Sequence, residues 1–250
     1  MKFVYRQGLR RSICSSAALI ALLFALSTLT GCLYPDSELR QNQAAPKEAV
    51  RNVQGAIDQY KSDTGMLPMK NSTVDTPLYE KFYVDFDILG RSGYLSTIPA
   101  AAFENGGNFH FLIIDEDTKP RIKLLDIVTF QKINDVQSWV RTHVQSGGDL
   151  PKGEKMYPGF YHIDYKSMNK KAPTIISIFS GQTLQAILDD NGVVYADYGI
   201  DIMQFVNKSG KSGFEPALDL RSLLVDSSDF VPVKAPVYHW INNEPQAVQP

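Results

Sequence analysis

Cysteine is scarce in this sequence: only Cys14 and Cys32 occur among its 250 residues. The chain that follows Cys32 can therefore form no disulfide, and it offers no thiol nucleophile or cysteine-ligated metal site. Its stability has to come from buried apolar surface alone. The length after Cys32 is ample for one hydrophobic core or for two small ones.

The sequence also lacks the short motifs that identify common enzyme classes. It contains no Gly-x-Ser-x-Gly elbow, no Walker loop and no Gly-x-Gly-x-x-Gly loop. The acidic turn 115–117 lacks the glycine and the distal glutamate of an EF-hand loop, so we interpret it as a solvated turn. No two histidines have the spacing of a local zinc site; they are His110, His143, His162 and His239. We therefore assign no catalytic residue, no metal site and no dissociable cofactor.

The N-terminal segment consists of three zones. Four basic residues and no acidic residue lie within its first eleven positions: Lys2, Arg6, Arg10 and Arg11. The apolar block 17–26 follows, and it is shorter than the roughly 20 apolar residues that a membrane span needs. After this block comes Leu29-Thr30-Gly31-Cys32, which resembles the lipobox of bacterial lipoproteins.

This resemblance implies a defined processing of the chain. The signal peptide would be cut between Gly31 and Cys32, and the Cys32 thiol would carry a diacylglycerol; an N-acyl chain on the new terminus stays open. Two acyl chains together hold a protein stably on a bilayer. We therefore expect a lipid-anchored protein on the outer face of the cytoplasmic membrane, with the membrane as one of its partners.

Removal of residues 1–31 would leave an acidic protein. The full chain has 25 Lys and Arg against 27 Asp and Glu, and the removed segment carries four of the basic residues and none of the acidic ones. The remainder therefore has 21 basic against 27 acidic residues, a formal charge of −6. Such a surface has no general attraction for nucleic acid, and we expect no nucleic-acid partner.

The apolar pattern predicts an α+β fold of antiparallel β-hairpins, each followed by a packing helix. A first helix is indicated by apolar residues at spacings of three and four: Val50, Val53, Ile57 and Tyr60. Gly65 and Pro68 are its stop signals. The alternation of Phe82, Val84 and Phe86 then predicts a half-buried strand.

Two hairpin–helix units follow in the pattern. The first has strands 109–114 and 121–128 and a helix marked by Ile133, Val136, Val140 and Val144. Its His110 alternates with Phe109 and Phe111, so we expect His110 to face solvent. The second has strands 174–179, 184–188 and 193–198, a turn at Asp190-Asn191-Gly192 and a helix around 201–207. Superposing 135–140 on 201–206 leaves open whether the two units are related.

These features suggest a division of the chain into five parts. They are the signal peptide 1–31, the lipidated N-terminus and tether 32–46, the N-terminal α+β unit 47–148, the C-terminal α+β unit 149–229 and the proline-containing tail 230–250. The boundary between the two units is placed in the glycine- and proline-rich stretch 147–159. We expect the tail to wrap the surface or to fray.

Aromatic residues cluster in the segment 156–165. The candidate aromatic binding surface consists of Tyr157, Phe160, Tyr161, His162 and Tyr165. Aromatic faces suit glycan rings and protein partners. The alternative is that these rings pack in the core and at sheet edges.

Three short segments resemble an uncharacterised lipoprotein family of Gram-positive, Bacillus-type bacteria. They are Cys32-Leu33-Tyr34-Pro35, Asp75-Thr76-Pro77 with Tyr79, and Ala102-Phe103-Glu104-Asn105-Gly106-Gly107. Members are sometimes labelled as transporter-associated binding proteins. The resemblance implies no activity and no functional residue.

Three functions follow from these observations, in order of preference. The first is a non-enzymatic binding or assembly module, anchored in the membrane, for an envelope, cell-wall or protein partner. The second is a solute-binding lipoprotein of an ABC-type uptake system, although such proteins normally have two α/β lobes. The third is a cell-wall hydrolase, whose paired carboxylates cannot be selected among 27 acidic residues.

Overall fold

Helix α1 (Asp36–Thr64) opens the part of the chain that the computed structural model describes, which is residues 36–210 and 213–249, with side chains from residue 46 onwards. The four residues of the predicted apolar face, Val50, Val53, Ile57 and Tyr60, are all buried, which confirms the helical prediction. Gly65 follows the helix with a φ of 74°. The helix begins inside the segment 32–46 that we predicted as a tether.

The remaining elements alternate between short helices and hairpins. The helices are α2 (Phe86–Arg91), α3 (Ile127–Gln145), α4 (Gly199–Ser209) and α5 (Arg221–Ser227), with 3₁₀ turns at Leu78–Glu80 and Phe103–Asn105. The strands up to α4 are β1 (Phe109–Ile114), β2 (Arg121–Asp126), β3 (Lys152–Tyr157), β4 (Phe160–Ile163), β5 (Ile175–Ile176), β6 (Thr183–Leu184), β7 (Ala186–Asp189) and β8 (Val194–Ala196). The last two are β9 (Val237–Ile241) and β10 (Glu244–Val248). The α+β prediction with antiparallel hairpins is confirmed.

The predicted strand over Phe82–Phe86 is wrong in most of its length. Tyr83 bridges Leu112 of β1, and Val84 bridges Met69, so two residues extend the β1–β2 hairpin. Phe86 already belongs to α2, because the side chain of Asp85 accepts the free N–H groups at the start of that helix. The extended segment therefore ends at Asp85, the residue that caps the helix.

The same antiparallel ladder occurs twice in the chain. The order β3-β4-β7-β8 of the four-stranded sheet matches the order of the 69–70 segment, the 83–84 segment, β1 and β2. The equivalent pairs are Met69–Val84 with Lys152–Ile163, and Tyr83–Leu112 with His162–Ile187. The first repeat unit is α1 to β2, and the second repeat unit is α3 to β8.

Hydrogen bonds outside the ladders repeat in the same register. Asp85 N–H donates to the Pro68 carbonyl and Asp164 N–H to the Pro151 carbonyl, both at 2.8 Å. Each of these aspartates also caps the following turn with its carboxylate. Equivalent positions of the two repeat units therefore form the same ladder hydrogen bond and are followed by the same capped turn.

The repeat differs from the superposition of 135–140 on 201–206 that the sequence suggested. Gln54 of α1 hydrogen-bonds Ile122, and Gln137 of α3 hydrogen-bonds Val194, so Ile122 and Val194 are equivalent. The same bonds make Gln54 and Gln137 equivalent, so position 135 of α3 corresponds to position 52 of α1 and not to position 201. The repeated order is helix, two short strands and hairpin, because each unit begins with its packing helix.

The C-terminal segment completes both repeat units, so the prediction of a fraying tail is wrong. Leu124 N–H donates to the Asp229 carbonyl at 2.8 Å, and the equivalent Ala196 N–H donates to the Lys234 carbonyl at 2.8 Å. Strands β9 and β10 then form a hairpin of their own. Phe230 is buried in the core of the first repeat unit.

The two predicted α+β units share their cores. Helix α3 lies before the predicted boundary, yet its apolar face is buried with the second sheet. The boundary stretch 147–159 itself contains β3. Strand β1 is covered on both faces: Phe111 and Ile113 pack towards α1, while Leu112 and Ile114 pack with Val225, Val231 and Val233. Within the described residues, no helix is long and apolar enough to cross a membrane.

Candidate binding cleft

The segment 157–165 does not present one aromatic surface. Phe160 is completely buried, so it offers no face to a ligand. The Tyr157 hydroxyl donates to Asp197 Oδ1 at 3.2 Å. Burial raises the pKa of Tyr157 above its ordinary value, and the charge of Asp197 raises it further. Burial raises the pKa of Tyr165 to about 12 as it packs against the core. Core packing explains these three rings.

Tyr161 and His162 lie on opposite faces of β4, because neighbouring strand residues alternate. Tyr161 carries Lys152 Nζ at 4.6 Å from its ring centre, and His162 is half-buried. The five predicted residues therefore divide between the core and two faces of one strand.

His110 does not face solvent as predicted. It lies between the rings of Tyr83 and Phe103, at centroid distances of 4.9 and 4.8 Å. Its buried Nδ1 has no hydrogen-bond partner in the part of the chain that the structure describes, and burial lowers the pKa of His110. Among the described residues, no three His, Cys, Asp or Glu side chains cluster closely enough to hold a metal ion. Gly31 and Cys32 lie outside the described residues.

A cleft of about 240 Å³ lies where the β1–β2 turn meets helix α5. We name it the Tyr79 cleft, and its lining residues are Leu78, Tyr79, Phe82, Ile113, Ile114, Asp115, Glu116, Arg121, Ser222, Val225 and Asp226. Six of these eleven side chains are apolar or aromatic, and the buried aliphatic ones, Ile113, Ile114 and Val225, form the floor. The charged ones come from the acidic turn, from Arg121 at the start of β2 and from α5.

Tyr79 is 8 % exposed, and among the described residues its hydroxyl has no hydrogen-bond partner. The guanidinium carbon of Arg221 lies over the Tyr79 ring, 5.2 Å from its centre. Burial, followed by the charge of Asp219, raises the pKa of Tyr79 to about 12, with Asp226 and Asp115 contributing in the same direction. The hydroxyl is therefore protonated at neutral pH and is a free donor in the electrostatic reach of two cleft carboxylates.

Arg121 joins the two sides of the cleft. Its Nε donates to Asp115 at 2.6 Å and its Nη1 to Asp226 at 2.8 Å. These groups are partly exposed, so the pairs add little stability, and they fix α5 against the turn. Glu116 is half-buried, and it forms no ion pair or hydrogen bond with any residue that the structure describes. The lining groups are three carboxylates against one guanidinium, and the neighbouring Arg221 and Lys123 are offset by Asp219 and Asp229, so the cleft carries an excess of negative charge.

The cleft lies where the two repeat units differ. Phe82 has a φ of 52°, which a bulky residue adopts only at a cost, whereas the equivalent Tyr161 lies in regular β4. In the second repeat unit, β3 and β4 are joined by a tight hairpin turn. In the first repeat unit, a longer loop stands in its place, and the 3₁₀ turn Leu78–Glu80 of this loop forms one wall of the cleft. Strain and insertion at one position indicate a specialised site.

A second groove is shallower. It lies beside α1 and is lined by Glu48, Ala49, Asn52, Tyr94, Leu95, Ser96, Thr97 and Pro99. The Tyr94 hydroxyl already donates to Asp63 at 3.0 Å. The Tyr79 cleft is therefore the stronger candidate.

Sequence patterns gave only part of this site. Tyr79 belongs to a family-like segment, and Asp115 and Glu116 form the acidic turn that we interpreted as solvated. Asp226 carried no signal, because its role depends on the packing of α5 against a hairpin 105 residues earlier in the chain.

Residues 46–126 match the YphF family N-terminal domain. The match ends at the last residue of β2 and therefore corresponds to the first repeat unit, including the cleft residues up to Arg121. It contains two of the three segments on which the family resemblance rests, and it supports a relation to an uncharacterised family of Bacillus-type proteins. No curated protein matches the chain, and no solved structure matches it.

Proposed function

We propose that this protein is an extracytoplasmic binding or assembly module without catalytic activity, and that it takes its partner in the Tyr79 cleft. The observation that carries this proposal is the cleft itself: an apolar floor, a free phenolic donor and an unpaired carboxylate in one concave site. A concave site with few convergent polar groups is the usual form of a binding pocket.

The size of the cleft favours a partner that inserts one group. Pockets that bury a small molecule usually measure about 300–1,000 Å³, and this one measures about 240 Å³. A side chain or terminal group of a larger partner fits such a space better than a whole sugar or nucleotide. This size supports an envelope or protein partner over uptake of a solute.

The electrostatics of the cleft also support binding over hydrolysis. Asp115 and Asp226 both pair with Arg121, so neither is poised as a proton donor. A glycosidase needs one carboxyl group that is protonated and another that is ionised. We propose a lipid anchor on Cys32 and the outer face of the cytoplasmic membrane as the location, supported by the lipobox-like sequence.

A site-specific photocrosslinker tests the binding proposal in cells that express the full chain. The crosslinker replaces Leu78, which is 57 % exposed at the cleft, and a control replaces Val128, which is 42 % exposed on α3. We expect an adduct of one mass, identified by mass spectrometry, from position 78 and not from position 128. Equal labelling from both positions, or release of wall fragments by the purified full chain, would contradict the proposal.

The anchor is tested by metabolic labelling with a radioactive fatty acid. We expect label on the full chain and none on its Cys32→Ala variant, which should also keep its signal peptide. Label that persists without Cys32 would place the lipid elsewhere.

A further inference from the structure

We infer that the Tyr79 cleft recognises an ammonium group on a short apolar stem, such as a lysine side chain or a free alkylamine. This inference rests on the proposed function and specifies its chemistry. It is carried by two independent observations: the sign of the charge around the cleft, and the unpartnered polar groups that open into it.

The charge around the cleft selects a cation. Asp115 and Asp226 share the single guanidinium of Arg121, which leaves one oxygen of each carboxylate without a bond to a described residue. Glu116 has no cationic partner within the described residues and is half-buried. An anion would meet three carboxylates, whereas an ammonium group would replace the missing partner of Glu116.

The polar groups of the cleft suit an ammonium group in number. The Tyr79 hydroxyl oxygen has lone pairs and can therefore accept a hydrogen bond as well as donate one. The carboxylate oxygens of Glu116 and Asp226 can also accept hydrogen bonds. An ammonium group has three donors and no acceptor. Tyr79 is 8 % exposed and lines the cleft, and its hydroxyl forms no hydrogen bond with a described residue, so it is available to such a ligand.

The floor of the cleft suits the methylene stem of the ligand. Ile113, Ile114 and Val225 form it, and Leu78 and Phe82 line the cleft beside them. Lysine buries its methylene stem along apolar surface while its head stays with polar groups. A guanidinium would compete with Arg121 for the same two carboxylates, so a compact ammonium fits the remaining space better.

The test uses the full chain in lipid nanodiscs and ligand-observed saturation-transfer NMR. The probes are n-butylamine, n-butanol and butyrate, which share a stem and differ in charge. We expect saturable binding of n-butylamine and no binding of butyrate. Binding of n-butanol should be weaker by up to about fivefold, since one charge pair contributes up to about 1 kcal/mol at partial exposure. Equal binding of n-butylamine and n-butanol, or preference for butyrate, would overturn the inference.

Matched variants locate the binding. Glu116→Gln removes one charge from the cleft, and Asp117→Asn removes one charge from the same turn outside the cleft. We expect E116Q to weaken n-butylamine binding about two- to fivefold and D117N to leave it unchanged. Tyr79→Phe should also weaken it. Equal effects of E116Q and D117N would mean that the amine senses only the general charge of the turn, which would overturn the inference.

Two further comparisons complete the test. The first identifies the source of the ammonium group, and the second distinguishes this inference from the proposed function. An acetylated Gly-Gly-Lys-Gly-Gly amide that binds more tightly than n-butylamine assigns the group to a protein lysine, and equal affinity assigns it to a free amine; either result supports the inference. Crosslinking from position 78 does not depend on ligand charge. An adduct there without amine preference would overturn this inference and leave the proposed function standing.

Discussion

The side chain of Gln137 pairs with the backbone on either side of Val193: its Oε1 accepts the Val194 N–H and its Nε2 donates to the Gly192 carbonyl, both at 2.8 Å. Gln54 does the same one repeat unit earlier, with the Ile122 N–H at 2.8 Å and the Pro120 carbonyl at 3.1 Å. A side-chain amide carries both an acceptor and donors, so it can pair with a backbone N–H and with the carbonyl two residues before it. Each packing helix thus fixes the register of its hairpin through one glutamine.

Replacing Gln137 with the similarly shaped Met should destabilise the fold. Gln137→Met leaves the Val194 N–H and the Gly192 carbonyl without their partner, and each unsatisfied group costs about 1–3 kcal/mol when water cannot reach it. Because the site is half-buried, we expect a loss of about 1–3 kcal/mol in the free energy of unfolding. Urea unfolding of residues 45–250, which form one compact unit, measures it.

The control for this prediction is Gln131→Met on the same helix, where the side chain is exposed. We expect it to stay within about 0.5 kcal/mol of the wild type. Gln54→Met should resemble Q137M, and the double variant should be nearly additive because the two clamps share no partner. If Q137M were as stable as Q131M, the hydrogen bonds of Gln137 would not contribute to the stability of the hairpin.

The hydroxyl of Tyr238 joins the C-terminal hairpin to the start of α4. It donates to Asp197 Oδ1 at 2.6 Å and accepts the Tyr198 N–H at 2.9 Å. All three residues are buried. Tyr238→Phe should therefore lower the free energy of unfolding by about 1–3 kcal/mol, because the buried Tyr198 N–H loses its partner and Asp197 Oδ1 loses one of its three donors. Tyr165→Phe, at a ring without such bonds, should change it by less than about 1 kcal/mol, and a similar loss from both variants would contradict the assignment.

Asp201 gives the stability a predictable dependence on pH. It is 3 % exposed, and burial raises its pKa, opposed by the hydroxyls of Ser180 and Ser177. The folded state therefore binds the proton more tightly than the unfolded state, so the free energy of unfolding falls as pH rises from the ordinary aspartate pKa through the raised one. Asp201→Asn removes this term, and its stability relative to the wild type should rise over that pH window. Asp135→Asn, at an exposed position, should show no such trend, and a pH-independent difference for D201N would contradict the prediction.

Helices and the inner strands of this fold could be predicted because their burial is periodic. Val53 and Ile57 on α1 repeat at helical spacing, and Asp190-Asn191-Gly192 provides the residues that a tight hairpin turn requires. Strand β3 escaped prediction because it is an edge strand whose first four residues are exposed. No apolar alternation marks such a strand.

The hairpin at the C-terminus could have been found. Asn242 and Asn243 have φ values of 52° and 64°, which suit a two-residue turn with both central residues left-handed. The many prolines of the tail concealed this signal, since Pro245 lies within β10. The candidate cleft could be predicted only in part, because α5 is held against the first hairpin by Lys123, whose Nζ donates to the Val225 carbonyl at 2.7 Å. A buried lysine that caps a helix 102 residues later leaves no local pattern.

Gly107 tests whether the family-like segment Ala102–Gly107 has a structural role. A Cβ at this position would lie 2.2 Å from the carbonyl carbon and oxygen of Ala101, closer than real atoms approach. The backbone passes there so that the Phe109 N–H can donate to the Ala101 carbonyl at 3.1 Å, which starts β1 beside Phe103 and His110. Gly107→Ala should therefore displace backbone atoms and lower the free energy of unfolding by about 2–3 kcal/mol.

Gly55→Ala is the opposite control, because Gly55 is exposed on α1 with no atom within 4 Å of an added Cβ. We expect it to raise the free energy of unfolding by about 0.5–1 kcal/mol through helix propensity. If urea unfolding showed that both substitutions change the free energy of unfolding in the same direction, the close backbone contact at Gly107 would not explain the sequence of this segment.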